Sequence, residues 1–506
     1  MPLGERTIVA VATTLALALS SACAAQTVTP PKVAATTARS APPLEQLRRD
    51  LSALFSDNAV DHAQWSVQVS SLKAGDALYS LNAMRLQVPA SNQKLVTAAV
   101  AAEKLGWGFT YTNKVYATGP IDDDGILQGD LVVTSDGDPT INPRHPARWA
   151  VLDEWARQLA ARKIHIIAGE LVGDDNAFAE PGWGLGWSWD DIALGYGAPV
   201  GGLQYNENQV ELMILPGSAA GARAVISMSP PANGLTIDHG LTTGPAGSET
   251  KIAIERIPGS NLLSVRGQIA ADSAAVNETA GVPNPTLMYV NAFREALARH
   301  GIFVGGGTID IDDLRLAPDY SKATLLIEDR SPPLSEIIDV TLKWSRNEYA
   351  ETLLRTLARP EPQATAEAGL KVVKDTLAGW GISPESYIAR DGSGLSRYDY
   401  ISTETLSALL VHLWKDPRHA EIFRSTLPVA GVSGSLESRM KNTPAHDRVW
   451  AKTGSMSQVR SLSGYIMTLD KEPLAFSIIV NGFRIPSREV DAVVDKALVK
   501  LVEFKR

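Results

Sequence analysis

A serine and a lysine three residues apart are the first candidates for chemistry in this chain. Ser91 and Lys94 lie at the start of a predicted helix. Positions i and i+3 share one helix face, so the lysine amine can reach the serine hydroxyl. A serine becomes a nucleophile when a base removes its proton, and burial or a second cation makes a lysine neutral enough to be that base. The pair therefore predicts covalent catalysis by Ser91 with Lys94 as base, helped by the positive helix amino terminus.

A second candidate element is Lys452-Thr453-Gly454-Ser455, near the C-terminus. Lys452 is the natural second cation for the first pair, and its charge, with the Thr453 hydroxyl, suits a substrate carboxylate. Gly454 lets a substrate backbone approach an exposed edge strand. The backbone amide of Ser455, together with that of Ser91, suits an oxyanion hole.

The third element, Ser345-Arg346-Asn347, lies between the other two in the chain. Ser345 is suited to relay a proton to a leaving amine, and Asn347 to orient Lys94 and bind a substrate carbonyl. The alternative interpretation is helix capping ahead of residues 348–357, since both residue types favour that position. Each element alone is common, but their combination in this order is specific.

Periodicity predicts the elements that position these residues. Apolar residues at helical spacing predict helices at 44–55, 90–105, 149–161, 288–299, 347–357, 365–378 and 490–502. Alternating apolar residues predict a hairpin at 65–81 and strands at 452–464, 461–469 and 473–480.

The middle of the chain differs in its predicted elements, which are many short strands separated by Gly and Pro. Strands are predicted at 127–134, 210–215, 224–228, 252–254 and 262–269. We therefore predict a first domain segment at 44–118 and a second at 317–506. Between them we predict inserted α+β domains at 119–316, with a β-rich module near 205–280.

Composition excludes several classes of function. The chain has 506 residues and a formal net charge of −9, so it has no basic field to attract nucleic acid. Its single cysteine, Cys23, excludes a disulfide framework and a cysteine metal site. The eight histidines are scattered and no H-E-x-x-H sequence occurs, so we predict no metal and no cofactor. No G-x-S-x-G elbow is present, which argues against an α/β-hydrolase.

The amino-terminal residues predict export from the cytoplasm. Residues 1–25 combine a short positive region, an apolar run and an A-x-A site at Ala22-Cys23-Ala24, which is typical of a secretory signal peptide. Residues 26–43, rich in Thr, Pro and Ala, predict a flexible linker. The alternative is a lipoprotein anchored at Cys23. In both cases we expect a periplasmic protein with no membrane span in its mature form.

The three elements resemble the motifs of the penicillin-binding protein and serine β-lactamase superfamily. The gap of 254 residues between Ser91 and Ser345 is longer than in compact members. It is similar to that of the class C low-molecular-mass penicillin-binding proteins, the D-Ala-D-Ala carboxypeptidase/endopeptidases of peptidase family S13. Further stretches agree with this family, at 135–140, 173–176, 391–397, 427–431 and 434–436.

The resemblance implies an α+β fold and an activity. The fold is a transpeptidase-like domain, an antiparallel sheet flanked by helices, interrupted by nested insert domains. The activity is removal of terminal D-Ala from peptidoglycan stem peptides and cleavage of D-Ala-diaminopimelate cross-links, through an acyl-enzyme on Ser91. β-Lactams would acylate the same serine as substrate mimics. Arg397 and Asp191, or Asp190 beside it, are implied to bind the diamino-acid side chain, and a homo-oligomer is compatible with the family.

Two departures from the family pattern are visible. Arg346 stands where Asp is common, which adds a third cation near the two lysines if its side chain turns inward. Residues 455–458 should line the cleft and alter its side-chain preference. In the predicted insert, we expect Trp183, Trp187 and Trp189 to pack against the main domain.

Two other functions remain open. One is a β-lactamase that uses the same nucleophile, although no obvious E-x-x-L-N element lies between Lys94 and Ser345 to supply a class A deacylating water. The other is a non-catalytic module that binds peptidoglycan or penicillin. A module that only binds need not keep every candidate catalytic residue, yet this chain has all five: Ser91, Lys94, Ser345, Asn347 and Lys452.

Overall fold

The computed structural model describes residues 42–56, 62–359, 361 and 363–506. The predicted signal peptide at 1–25, Cys23 and all but the end of the predicted linker at 26–43 lie outside these residues. Within the described ranges, no helix combines the length and the apolarity that a bilayer span requires.

The described residues form both helices and strands. The helices are α1 (Pro43–Phe55), α2 (Gln93–Leu105), α3 (Pro146–Trp149), α4 (Val151–Ala161), α5 (Pro285–Arg299), α6 (Leu334–Lys343), α7 (Asn347–Thr356), α8 (Ala366–Gly379), α9 (Thr403–Lys415), α10 (Ala420–Ser425) and α11 (Ser487–Glu503). The strands are β1 (Gln64–Ser71), β2 (Ala77–Leu81), β3 (Thr112–Ala117), β4 (Ile126–Leu127), β5 (Leu131–Ser135), β6 (Ile166–Ile167), β7 (Leu171–Asp174), β8 (Gln209–Leu215), β9 (Val225–Ser229), β10 (Thr236–Gly244), β11 (Lys251–Arg256), β12 (Leu262–Ala270), β13 (Val276–Gly281), β14 (Phe303–Val304), β15 (Thr308–Asp310), β16 (Thr324–Arg330), β17 (Tyr387–Ile388), β18 (Tyr400–Ile401), β19 (Val449–Met456), β20 (Val459–Met467) and β21 (Pro473–Asn481). Every helix predicted from periodicity is present, with small differences at the ends.

An antiparallel sheet lies between two helical layers, with its strands in the order β19-β20-β21-β1-β2. Successive side chains of a strand point to opposite faces. In β21, Ile479 therefore packs into the core with α2 and α9, whereas Ile478 and Val480 pack into the core with α1 and α11. The predicted α+β architecture, an antiparallel sheet flanked by helices, is confirmed.

The strand predicted at 452–464 is wrong as a single element. The chain turns at Ser457 and Gln458, and β19 and β20 then pair antiparallel, with Met456 opposite Val459. Gln458 takes a left-handed backbone conformation, with φ of 56°. Glycine or asparagine usually occupies such positions. Because Ser457 and Gln458 are neither, the sequence does not indicate a turn here.

A second five-stranded sheet belongs to the middle of the chain, in the order β15-β7-β5-β3-β16. The α4 and α5 helices share its core, where the rings of Trp155 and Phe293 meet edge to face at 5.8 Å. β3 and β16 are antiparallel neighbours, so the chain enters and leaves this sheet side by side. We propose residues 112–330 as the extent of the insert, which contains the predicted 119–316.

The β-rich part of the insert consists of two three-stranded sheets, β13-β8-β9 and β10-β12-β11, around one apolar core. The strands predicted at 210–215, 224–228, 252–254 and 262–269 are confirmed as β8, β9, β11 and β12. Sequence reasoning missed β10 and β13, because their Gly, Thr, Asp and Asn residues interrupt any apolar alternation.

Candidate active site

Ser91 lies in a 3-10 turn, Ala90–Asn92, that runs directly into α2. The predicted contact with Lys94 is present: the Lys94 Nζ lies 3.0 Å from the Ser91 Oγ. The same amine donates to Asn347 Oδ1 at 2.6 Å and to the Ser393 carbonyl at 2.7 Å. These three oxygen partners, on three different segments, hold the amine at the serine.

The electrostatics of Lys94 suit a base. The residue is fully buried, and this desolvation lowers the pKa of Lys94 to about 7. The negative charges of Asp391, Glu351 and Asp399 act in the opposite direction and raise the pKa. Near neutral pH a large fraction of Lys94 is therefore unprotonated and able to accept a proton from Ser91.

Lys452 is the second buried lysine of the site. It lies on β19, and its Nζ donates to Ser345 Oγ at 2.8 Å and to the Thr453 carbonyl at 2.7 Å. Burial lowers the pKa of Lys452 well below its usual value, and the charge of Lys94 lowers the pKa further. Burial, and not the charge of Lys452, lowers the pKa of Lys94. The prediction that Lys452 would act as the second cation on Lys94 is therefore wrong, and the effect runs from Lys94 to Lys452. A bound anion would favour the charged form of Lys452.

The Ser345-Arg346-Asn347 element forms the connection between α6 and α7. Asn347 accepts from Lys94, and its Nδ2 donates to the Tyr196 carbonyl at 2.8 Å. No side chain caps the amino terminus of α7, so the capping interpretation is wrong for both residues. Ser345 has φ of 58°, a strained conformation for a non-glycine residue that is frequent at functional sites.

Gly454 is required by the approach of β19 to the serine. A Cβ atom at this position would lie 2.1 Å from Ser461 Oγ, 2.8 Å from the Pro89 carbonyl and 3.1 Å from the Ser91 nitrogen. From the sequence, we attributed this glycine to the approach of a substrate backbone. The turn that carries Ser91 already occupies that side of Gly454. The prediction that β19 is an edge strand is confirmed.

Thr453 and Ser455 follow the buried lysine on β19. The Thr453 hydroxyl lies 2.7 Å from that of Ser435. Ser435 belongs to the 434–436 stretch, which carried the family resemblance, but sequence reasoning assigned it no role. Ser455 is exposed and lines the cleft beside Ser91.

A cleft of about 250 Å³ opens over these residues. It is lined by Ser91, Asp191, Tyr196, Ser345, Asn347, Gly394, Leu395, Arg397, Ser455, Met456 and Ser457. The structure thus brings Asp191 and Arg397 to the same cleft as Ser91, although 206 positions separate Asp191 from Arg397. Gln458 lines a neighbouring cavity instead, so its predicted place in the cleft is wrong.

Tyr196 is the residue of the cleft that sequence reasoning missed. Its hydroxyl donates to Asp191 Oδ1 at 2.7 Å, and its carbonyl accepts from Asn347. Burial and the bond to Asp191 raise the pKa of the Tyr196 hydroxyl. Tyr196 lies in the Gly195–Gly197 turn, five positions after Asp191. This proximity in sequence to a predicted site residue could have identified it.

The three tryptophans differ in their surroundings. Trp187 Nε1 donates to Asp391 Oδ2 at 2.8 Å, which ties the insert to the 391–397 loop, as predicted. Trp183 is half-buried. Trp189 is 68% exposed, so the packing predicted for it is wrong.

Arg346 does not add a third cation to the two lysines. Its guanidinium lies 2.6 Å from a carboxylate oxygen of Glu207, a residue of the insert. The inward orientation considered from the sequence is therefore wrong. The physical reason is a fixed anion on the insert that attracts the side chain.

The chain matches the D-Ala-D-Ala carboxypeptidase 3 (S13) family over residues 47–503. It belongs to this family. The S13 chain is 33% identical over 473 residues to a D-alanyl-D-alanine carboxypeptidase of Actinomadura sp., with 91% of this chain and 85% of that relative covered. It is 26% identical over 438 residues to D-alanyl-D-alanine carboxypeptidase DacB of Haemophilus influenzae, with 84% and 86% covered.

The fold of the S13 chain also has a match among solved structures. The crystal structure of penicillin binding protein 4 from Haemophilus influenzae aligns with a TM-score of 0.77 at 24% sequence identity, covering 89% of this chain and 98% of that one. The family and the transpeptidase-like fold class predicted from the three motifs are both confirmed. As a member of a serine carboxypeptidase family, the S13 chain is a hydrolase.

Proposed function

We propose that this S13 chain is a serine D,D-peptidase with Ser91 as its nucleophile. The Ser91 Oγ attacks the carbonyl carbon of the D-Ala-D-Ala bond while its proton passes to Lys94. The bond to the leaving amine then breaks, an acyl-enzyme remains on Ser91, and water releases it. One observation carries this proposal: a fully buried lysine with a pKa of about 7 lies 3.0 Å from the serine hydroxyl.

The remaining elements stabilise charge and supply a proton. The backbone amides of Ser91 and Ser455 form the oxyanion hole. Lys452 and the Thr453 hydroxyl bind the terminal carboxylate of the substrate, and this negative charge favours the protonated form of Lys452. Ser345 relays a proton to the leaving amine, supported by its 2.8 Å hydrogen bond to Lys452.

We propose peptidoglycan stem peptides as substrates, with both release of terminal D-Ala and cleavage of D-Ala-diaminopimelate cross-links. The cleft supports a diamino-acid side chain, because Arg397 suits its carboxylate and Asp191 suits its ammonium group. Arg397 is exposed, so it is free to approach a ligand. β-Lactams would act as acylating inhibitors. Such substrates require export, which the predicted signal peptide at 1–25 would provide, with lipid anchoring at Cys23 as the alternative.

The test is the intact mass of the protein after incubation with benzylpenicillin, for wild type and Ser91→Ala. We expect a penicilloyl adduct on the wild type alone. Release of D-Ala from a diacylated Lys-D-Ala-D-Ala peptide, and cleavage of a purified cross-linked muropeptide, then measure the two activities separately. Penicillin consumed without an adduct would indicate a β-lactamase. Intact penicillin without an adduct would overturn the proposed nucleophile.

A further inference from the structure

Three consecutive residues of the insert have left-handed backbone conformations. Asn206, Glu207 and Asn208 have φ of 52°, 56° and 55°, and all three are buried. Non-glycine residues keep this conformation only where their surroundings hold it. Here the side-chain amides of Asn206 and Asn208 donate to the backbone carbonyls of Gln209 and Pro199, at 2.8 and 2.9 Å. The strain therefore indicates that the turn presents something the protein uses.

The turn presents the carboxylate of Glu207, which is only 8% exposed. One oxygen lies 2.6 Å from Arg144 Nε, and the other lies 2.6 Å from Arg346 Nη2. Gln209 Nε2 also donates to this carboxylate at 3.0 Å. Arg144 and Gln209 belong to the insert, whereas Arg346 stands between the two candidate catalytic residues Ser345 and Asn347.

The loop that carries Ser345 and Asn347 receives little support from its own helices. No side chain caps α7, Ser345 has a positive φ, and the preceding Trp344 is half-exposed. The adjacent Glu348 is buried without a hydrogen-bond partner, and burial raises its pKa well above the usual value. Glu348 therefore makes no side-chain hydrogen bond to the neighbouring Arg346.

We propose that Glu207 is a positioning residue, which holds the Ser345-Arg346-Asn347 loop in its working geometry through the ion pair with Arg346. The insert then contributes to the rate of acylation although Glu207 touches no reacting atom. A second tie from the insert is the Tyr196 carbonyl, which accepts from Asn347. This proposal rests on the proposed function, since it assigns the loop a part in acylation of Ser91.

The clean perturbation is Arg346→Gln. Glu207 keeps Arg144 and Gln209 as partners in this variant, so no unpaired charge is left buried. We expect the second-order rate constant for acylation by benzylpenicillin to fall about tenfold, because a contact that orients catalytic groups is lost. Arg346→Lys restores a cation and should recover the rate to within about threefold of wild type.

A double-mutant cycle tests whether the two residues act through one another. Glu207→Gln should slow acylation about as much as Arg346→Gln, and the double variant should be no slower than the slower single variant. Independent multiplication of the two effects would overturn the proposal. So would a wild-type rate for Arg346→Gln.

Arg148→Gln is the matched control for general destabilisation of the insert. Arg148 is also a buried arginine, and both of its carboxylate partners, Asp138 and Asp329, lie in the insert. We expect a lower Tm with an acylation rate within twofold of wild type. If Arg148→Gln slows acylation as much as Arg346→Gln, stability of the insert and not the ion pair controls the rate. Absence of acylation in the wild type would instead contradict the proposed function itself.

Discussion

The two serines of the cleft are held in different ways. Ser91 precedes a helix whose residues from Gln93 to Ala102 are all buried, and the following Asn92 donates to the Lys452 carbonyl at 2.9 Å. Ser345 instead lies in a strained loop whose contacts include a carbonyl and a carboxylate of the insert. Ser91 is thus fixed by the core of its own domain. The loop that carries Ser345 is held both by that domain, through Lys452 Nζ, and by the insert, through Arg346 and Asn347.

This difference separates two properties of the site. The surroundings of Ser91 and Lys94 set the pKa of the base, through burial and through the carboxylates of Glu351, Asp391 and Asp399. The surroundings of Ser345 set the positions of Ser345 and Asn347, the residues proposed to relay a proton and to bind a substrate carbonyl. Changes in the contacts between the insert and the Ser345-Arg346-Asn347 loop should therefore alter the maximal rate and leave the pH dependence unchanged.

The largest expected effect comes from removing the base. Lys94→Met keeps the length of the buried side chain but cannot accept a proton, so acylation by benzylpenicillin should slow about 10³-fold. Stopped-flow or quenched mass measurements give the rate. The matched control is Lys104→Met, an exposed lysine of the same helix, which should retain the wild-type rate. Equal rates for Lys94→Met and wild type would show that another group activates the serine.

The pH dependence of acylation sharpens the comparison. Lys94 must be neutral to act, so the rate should rise with pH, with a midpoint near the Lys94 pKa of about 7. Glu351 raises that pKa. Glu351→Gln should therefore move the midpoint to lower pH. Because burial raises the pKa of Glu351 itself to about 7, Glu351 is only partly charged in this range, and the rate at pH 7 relative to the plateau should increase by less than about twofold. Arg346→Gln should lower the plateau and keep the midpoint, and a moved midpoint in this variant would break the comparison.

The smallest expected effect tests the tie between the insert and the nucleophile's side. Trp187→Phe removes the donor to the buried Asp391 carboxylate, which should lower the free energy of unfolding by about 1.5–3 kcal/mol. Acylation should change by less than about threefold, because the Asp391 carboxylate still accepts hydrogen bonds from the backbone amides of Gly394 and Ser396. Trp189→Phe, at an exposed position, should alter neither. A large rate loss in Trp187→Phe would show that the insert also controls the nucleophile.

Sequence patterns identified much of the site because they are local. The i and i+3 spacing of Ser91 and Lys94 is a property of one helical turn, and the contact is present at 3.0 Å. Helix and strand periodicity likewise reflects which face of a short segment is buried. The order of the three motifs along the chain then led to the S13 family without any knowledge of how they meet.

Other features depend on segments that meet only after folding. Tyr196 reaches Asn347 from 151 positions away, and the ion pair of Glu207 with Arg346 joins the insert to the Ser345-Arg346-Asn347 loop. The turn at 457–458 contains no glycine, so the sequence did not predict the left-handed backbone conformation of Gln458.

The division between the two kinds of feature has a physical cause. Residue types and short spacings determined by themselves which groups can act as nucleophile, base and cation. Only tertiary packing decided how deeply those groups are buried, which carboxylates surround Lys94 and which way Arg346 turns. Desolvation and Coulomb energies depend on three-dimensional neighbours, and sequence distance does not encode them.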